Sequence, residues 1–120
     1  MTAEWWERGR AAETAQARAM LREFVAELQR RGIAPETLRA RAGSARYRTD
    51  VVGWYLRANG SLGVDGAGEY YVLDVAPSLL GRFRGIHLDP AEPPLQIGRG
   101  ARDGESVELA ELLRRRLAEV

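Results

Sequence analysis

Apolar residues recur at helical spacing in the first quarter of the chain. Ala17, Met20, Leu21, Phe24 and Leu28 form one stripe at i, i+3, i+4, i+7 intervals. The surrounding stretch, roughly Ala3 to Arg31, has no Pro and no Gly between Arg10 and Arg31, and is dense in the strong helix formers Ala, Glu, Arg and Leu. Its end is marked. Arg30 and Arg31 suit the negative end of the helix dipole, Gly32 suits a left-handed cap, Ile33 is the apolar residue just past it, and Pro35 blocks continuation. Followed backwards, the stripe meets Glu13 and Arg10 before it reaches Trp6. The pattern therefore predicts that residues 17–28 pack on the core and residues 3–14 overhang it. A helix of ~29 residues measures ~43 Å at 1.5 Å per residue, longer than a compact domain of this size is wide.

The period then changes from helical to alternating. Arg46 to Leu56 (RYRTDVVGWYL) is β-branched and aromatic, and Asn59-Gly60 signals a tight hairpin. Ser61 to Val64 returns, Asp65-Gly66-Ala67-Gly68 turns again, and Glu69 to Val75 (EYYVLDV) makes the next strand. Thr37 to Ala42 reads as an earlier strand joined through Gly43-Ser44, with a short helix opened by Pro35 as the alternative. Alternation puts Val52, Trp54 and Leu56 on one face and Tyr47, Val51 and Tyr55 on the other. In the later strand Tyr71, Leu73 and Val75 oppose Tyr70 and Val72. Both faces carry large apolar groups. One takes the long helix; the other is either covered by the C-terminal segment or left open as a binding platform.

Beyond Ala76, Pro77-Ser78-Leu79-Leu80 opens a short helix reaching Arg84. Ile86 to Asp89 and Leu95 to Ile97 read as extended pieces around Pro90, Pro93 and Pro94. Ser106 is an N-cap candidate for a last helix, Val107 to Glu119, with Leu109, Leu113, Leu117 and Val120 on one face. The expected fold is a single α+β domain over residues 1–120: a long N-terminal helix (1–32), a three- to four-stranded antiparallel meander (37–75), and extended segments with a C-terminal amphipathic helix (76–120).

Composition narrows the chemistry. The chain has 18 Arg and no Lys, 17 acidic residues, one His and no Cys. No disulfide, thiolate nucleophile or cysteine-ligated metal is available, and a multi-histidine metal site is excluded. Net charge is +1, with ten Arg against six acids in residues 1–48 and eight Arg against eleven acids in residues 49–120. That balance lacks the basic stripe usual in nucleic-acid binders. The opening MTAEWWERGR has no signal-peptide pattern, and no stretch approaches the ~18–20 apolar residues of a membrane span. A cytoplasmic protein without a membrane partner is expected.

Three places hold candidate chemistry. The loop Gly98-Arg99-Gly100-Ala101-Arg102-Asp103-Gly104 leads into a helix, where free N–H groups can cradle phosphate. Asp103 stands where a dinucleotide fingerprint needs its third Gly, no Lys exists for a P-loop, and Glu105 and Glu108 oppose an anion, so an exposed turn is the simpler reading. His87 and Asp89 share a strand face, as in a carboxylate-oriented base, with no evident nucleophile. Tyr47, Tyr55 and Tyr70 with Arg57, and Arg39 and Arg41 at the rim, would offer stacking surfaces to single-stranded nucleic acid if their face were open. The remaining signal is Trp5-Trp6: adjacent on a helix, 100° apart, they cannot both join one narrow stripe, and large exposed aromatics are common interface anchors.

Together these features favour a non-catalytic interaction or regulatory module that assembles through its N-terminal helix, using Trp5, Trp6, Arg10 and Glu13, with a protein partner or a second copy. No catalytic residue, cofactor or metal is assigned. The alternatives are single-stranded nucleic-acid binding on the tyrosine face and an anion- or nucleotide-binding enzyme using the Gly98–Gly104 loop.

Overall fold

Helix α1 runs Thr2–Arg30 in the computed structural model, which describes residues 2–98 and 106–120, with side chains described for 6–98 and 107–120. It ends as its sequence predicts. Gly32 adopts φ 72°, its N–H bonds the Gln29 carbonyl, and the Ile33 N–H reaches back to the Leu28 carbonyl, both at 3.0 Å. This pairing satisfies carbonyls that a helix end otherwise leaves open.

The strands follow as β1 (Glu36–Ala42), β2 (Ala45–Tyr55), β3 (Leu62–Asp65) and β4 (Tyr70–Val72), an antiparallel sheet in sequence order. Thr37 to Ala42 is thus a strand. The turns carry their own chemistry. Asp65 Oδ1 accepts from the Ala67 and Glu69 N–H groups at 2.9 and 3.0 Å, and Tyr71 Oη donates to Asp65 Oδ2 at 2.9 Å. Burial first, then that hydrogen bond, pushes the Tyr71 hydroxyl up to about 12.

The sheet does not stay flat. After β4 the chain turns along β1 in parallel, where the Arg41 N–H donates to the Leu73 carbonyl at 2.6 Å and the Val75 N–H to the Arg41 carbonyl at 2.8 Å. Arg41 Nε clasps Asp74 Oδ1 across the same seam at 2.7 Å. The two edges of the sheet therefore meet. One face becomes an interior filled by Leu38, Val51, Tyr71 and Leu73 and, beside them, Ala40, Ala42 and Tyr47. Ile86 and Leu88 pack against these groups from outside the sheet. This closure settles the choice between a covered and an open second face: it is covered.

The other face carries Trp54, Leu56, Leu62, Val64 and Tyr70, clustered with Ala17, Leu21, Phe24, Val25 and Leu28 of α1. Trp54 Nε1 donates to the Ile33 carbonyl at 3.0 Å and locks the helix exit onto the sheet. A short hairpin, β5 (Gln96–Gly98) with β6 (Ser106–Glu108), and helix α3 (Leu109–Glu119) complete this layer. Helix α2 (Leu79–Arg84) stands apart, beside β2.

The last helix differs from expectation. It starts at Leu109, two residues late, because Ser106–Glu108 pairs with Gln96–Gly98 and the Leu109 N–H is taken by the Leu95 carbonyl at 2.7 Å. Backbone pairing overrides the capping preference of Ser106; Glu108 holds the cap position without a side-chain bond.

At Gly53 β2 lies close against β3. A Cβ there would lie 2.0 Å from the Val64 carbonyl oxygen, which is backbone and cannot swing aside. Gly53→Ala is expected to cost about 3 kcal/mol, read as a lower urea midpoint. Gly66→Ala, with nothing within 4 Å of the new methyl, should stay within about 0.5 kcal/mol of wild type. Equal midpoints for the two variants would contradict this placement.

Candidate functional site

The apolar stripe of α1 is buried only over its second half. Ala17, Leu21, Phe24 and Leu28 are 0–3% exposed, whereas every residue from Trp6 to Glu13 is exposed, Trp6 at 65%. The molecule measures 48 × 34 × 27 Å with a radius of gyration of 15.3 Å, against about 13.5 Å for a compact 120-residue domain. The helix projects beyond what the body covers. Arg10 and Glu13 border a cleft whose far side is the proline-rich bend Glu92–Gln96, and Trp6 lines an adjoining depression with Arg8, Arg10 and Glu13. The structure thus brings Trp6, Arg10 and Glu13 together on one exposed stretch; the side chain of Trp5 lies outside the described residues.

The tyrosines do not share a platform. Tyr47 is 3% exposed inside the closed sheet, its hydroxyl accepting from the Ser78 N–H at 2.9 Å. Tyr70 is 5% exposed on the opposite face, against α1, and burial raises its pKa. Tyr55 is half-buried, with its hydroxyl accepting from the Arg39 N–H at 3.0 Å. Arg57 is half-buried and Arg41 is committed to Asp74 and to the Asn59 carbonyl. The grouping of these three rings on one face, the premise of the nucleic-acid alternative, is corrected: Tyr70 lies opposite Tyr47, and curvature decides whether a face meets solvent. Of the glycine-rich loop, Gly98 closes β5 and residues 99–105 lie outside the described residues.

His87 has a second carboxylate that sequence reasoning missed. Its Nδ1 meets Asp50 Oδ2, its Nε2 lies 2.9 Å from Asp89 Oδ1, and Asp50 Oδ1 accepts the Leu88 N–H at 3.1 Å. Asp50 comes from β2, and no local spacing announces a contact made 37 residues away. The Asp50 hydrogen bond first, then Asp89, raises the His87 pKa; the imidazole and then the Leu88 N–H lower that of Asp50. With both ring nitrogens engaged by carboxylates, the imidazole is a clamp that ties residues 86–89 to β2.

The other feature the sequence concealed is α2. Leu79, Leu80 and Phe83 are 78%, 66% and 82% exposed, while its buried residue is Gly81. Periodicity over six residues cannot say which side faces the core.

The clamp sets a pH signature. Because the folded pKa of His87 is raised, its contribution is complete below the unfolded value of about 6.5 and lost as pH climbs through the folded value. Because the folded pKa of Asp50 is lowered, its contribution is present above the unfolded value of about 3.9 and lost as pH falls through the folded one. The Tm difference between wild type and His87→Gln should therefore peak at about pH 5–6 and shrink towards pH 9; a difference independent of pH would contradict the clamp.

Compared with protein-family models, with curated proteins and with solved structures, the chain has no significant match to any of them.

Proposed function

We propose that this protein is a small non-catalytic interaction or regulatory module that assembles through the exposed N-terminal half of α1. The observation that carries this reading is the break in burial along one continuous helix, with the stripe sealed from Ala17 onward and every residue from Trp6 to Glu13 exposed. A helix stretch left mostly exposed draws little stability from tertiary packing, which supplies most of the stability of helices in proteins. A partner helix laid along it would supply that packing.

The charges favour a second copy as that partner. The exposed stretch carries Glu7 and Glu13 against Arg8 and Arg10, so it is neutral and mixed in sign. In an antiparallel pair related by a two-fold axis, Arg10 of one copy faces Glu13 of the other, and the tryptophans flank the contact. The nucleic-acid reading has less support, because Tyr47 and Tyr70 are buried on opposite faces.

Light scattering after size exclusion tests the proposal. Wild type is expected to weigh about twice the 13.3 kDa of one chain, and the Trp5→Ala/Trp6→Ala variant to weigh one chain with an unchanged circular dichroism spectrum. Wild type running as a monomer with both indoles emitting as buried groups would overturn assembly through this helix.

A further inference from the structure

Helix α2 buries its glycine and exposes its large apolar residues, the reverse of a packed amphipathic helix. Single exposed hydrophobics are ordinary, but three on six residues make a patch. The patch is built. Ser78 Oγ caps the helix by accepting the Gly81 N–H at 3.0 Å, and the Gly85 N–H bonds the Gly81 carbonyl at 3.0 Å. The Ser78 N–H donates to the Tyr47 hydroxyl at 2.9 Å, and the Ile86 N–H to the Arg48 carbonyl at 2.8 Å. Gly81 lets the helix lie close to the body, since a Cβ there would stand 3.0 Å from Ile86. Both ends are anchored, and the side facing inward is the glycine side.

Within the segment that carries the patch the charge has one sign. Residues 75–86 contain Arg82 and Arg84 and no carboxylate, and Arg48 lies under Gly85. Among the described residues none of these three arginines makes an ion pair. Asp50, which lines the neighbouring cleft with Arg48 and Arg84, and Asp89 both pair with His87. The apolar tips project, and the neighbouring cleft of Arg48, Asp50, Arg84 and His87 takes in none of them.

We propose that α2 seats the protein on an anionic lipid surface, with Leu79, Leu80 and Phe83 entering the acyl boundary and Arg82, Arg84 and Arg48 meeting headgroup phosphates. Three such side chains offer on the order of 400 Å², within the size of a functional patch but below the ~800 Å² per partner of a stable protein interface. A bilayer needs no matching surface. It accepts a convex apolar tip ringed by cations, and the two signals together give reversible anchoring. No described helix is long and apolar enough to cross a membrane, and a helix that lies in the interface does not require one.

Co-sedimentation of the full chain with large vesicles tests this. Retention is expected on mixed phosphatidylcholine and phosphatidylserine, little on phosphatidylcholine alone, and release at about 0.5 M salt. Arg82→Gln/Arg84→Gln should weaken binding by roughly fivefold per charge removed, and Leu79→Ser/Phe83→Ser by about tenfold or more. Both variants alter exposed positions and should melt like wild type. Trp5→Ala/Trp6→Ala should bind vesicles as wild type does, which separates this surface from assembly through α1. Absence of retention on the mixed vesicles, or retention that survives Leu79→Ser/Phe83→Ser, overturns the proposal. Equal retention by soluble polyglutamate, lost in the same variants, would assign the surface to an acidic protein and overturn it too.

Discussion

The seating of Leu21, Phe24 and Leu28 on Trp54, Leu56 and Val64 is the contact on which the rest of the fold depends. It chooses which sheet face turns to the helices and, through the Trp54 indole on the Ile33 carbonyl, fixes where α1 leaves it. Each of these side chains is worth ~1.5–3 kcal/mol when taken from water. The same contact has a short reach. A four-stranded sheet and one hairpin can clothe only part of a 29-residue helix, so the rest of α1 extends past its own support.

The opposite sheet face answers a different constraint. Exposed sheet edges invite pairing with other chains, and here the two edges are joined to each other through Arg41 and residues 73–75. Closure this tight requires small residues inside. Ala40 and Ala42 line the interior, and at Gly63 a methyl would strike Leu38 at 2.6 Å. The segment after α2 is then strapped along β2 by His87 and Ile86. With its edges paired and its interior filled, the sheet exposes Val52 and Val72 in part, and the most exposed large apolar side chains among the described residues sit on helices, Trp6 of α1 and Leu79, Leu80 and Phe83 of α2.

Much of this was legible from local signals. The cap at Gly32, the Asn59-Gly60 and Asp65-Gly66 turns, the face assignment along β2 and the start of burial at Ala17 each rest on residues within one turn or hairpin. What escaped depends on distant neighbours. Alternation sorts residues within one strand, yet nothing within either strand says that Tyr47 and Tyr70 lie on opposite faces, the first enclosed by curvature and the second covered by α1. Asp50 reads as an exposed strand residue until residues 86–89 arrive beside it. Ser106 has the chemistry of a cap, but Ile97 offers Val107 a strand partner, and the ladder wins. The short helix opened by Pro77-Ser78-Leu79-Leu80 is legible, but its facing is not; the anchoring of Ser78 and Gly81 turns Leu79, Leu80 and Phe83 outward.

Amide hydrogen exchange along α1, measured at dilution below any self-association, tests most directly the claim that the body supports only the second half of that helix. The account predicts that amides of residues 21–30 share the protection of the β2 amides, while those of residues 6–13 exchange through local opening, orders of magnitude faster. Uniform protection from residue 6 to residue 30 in the lone chain would contradict it.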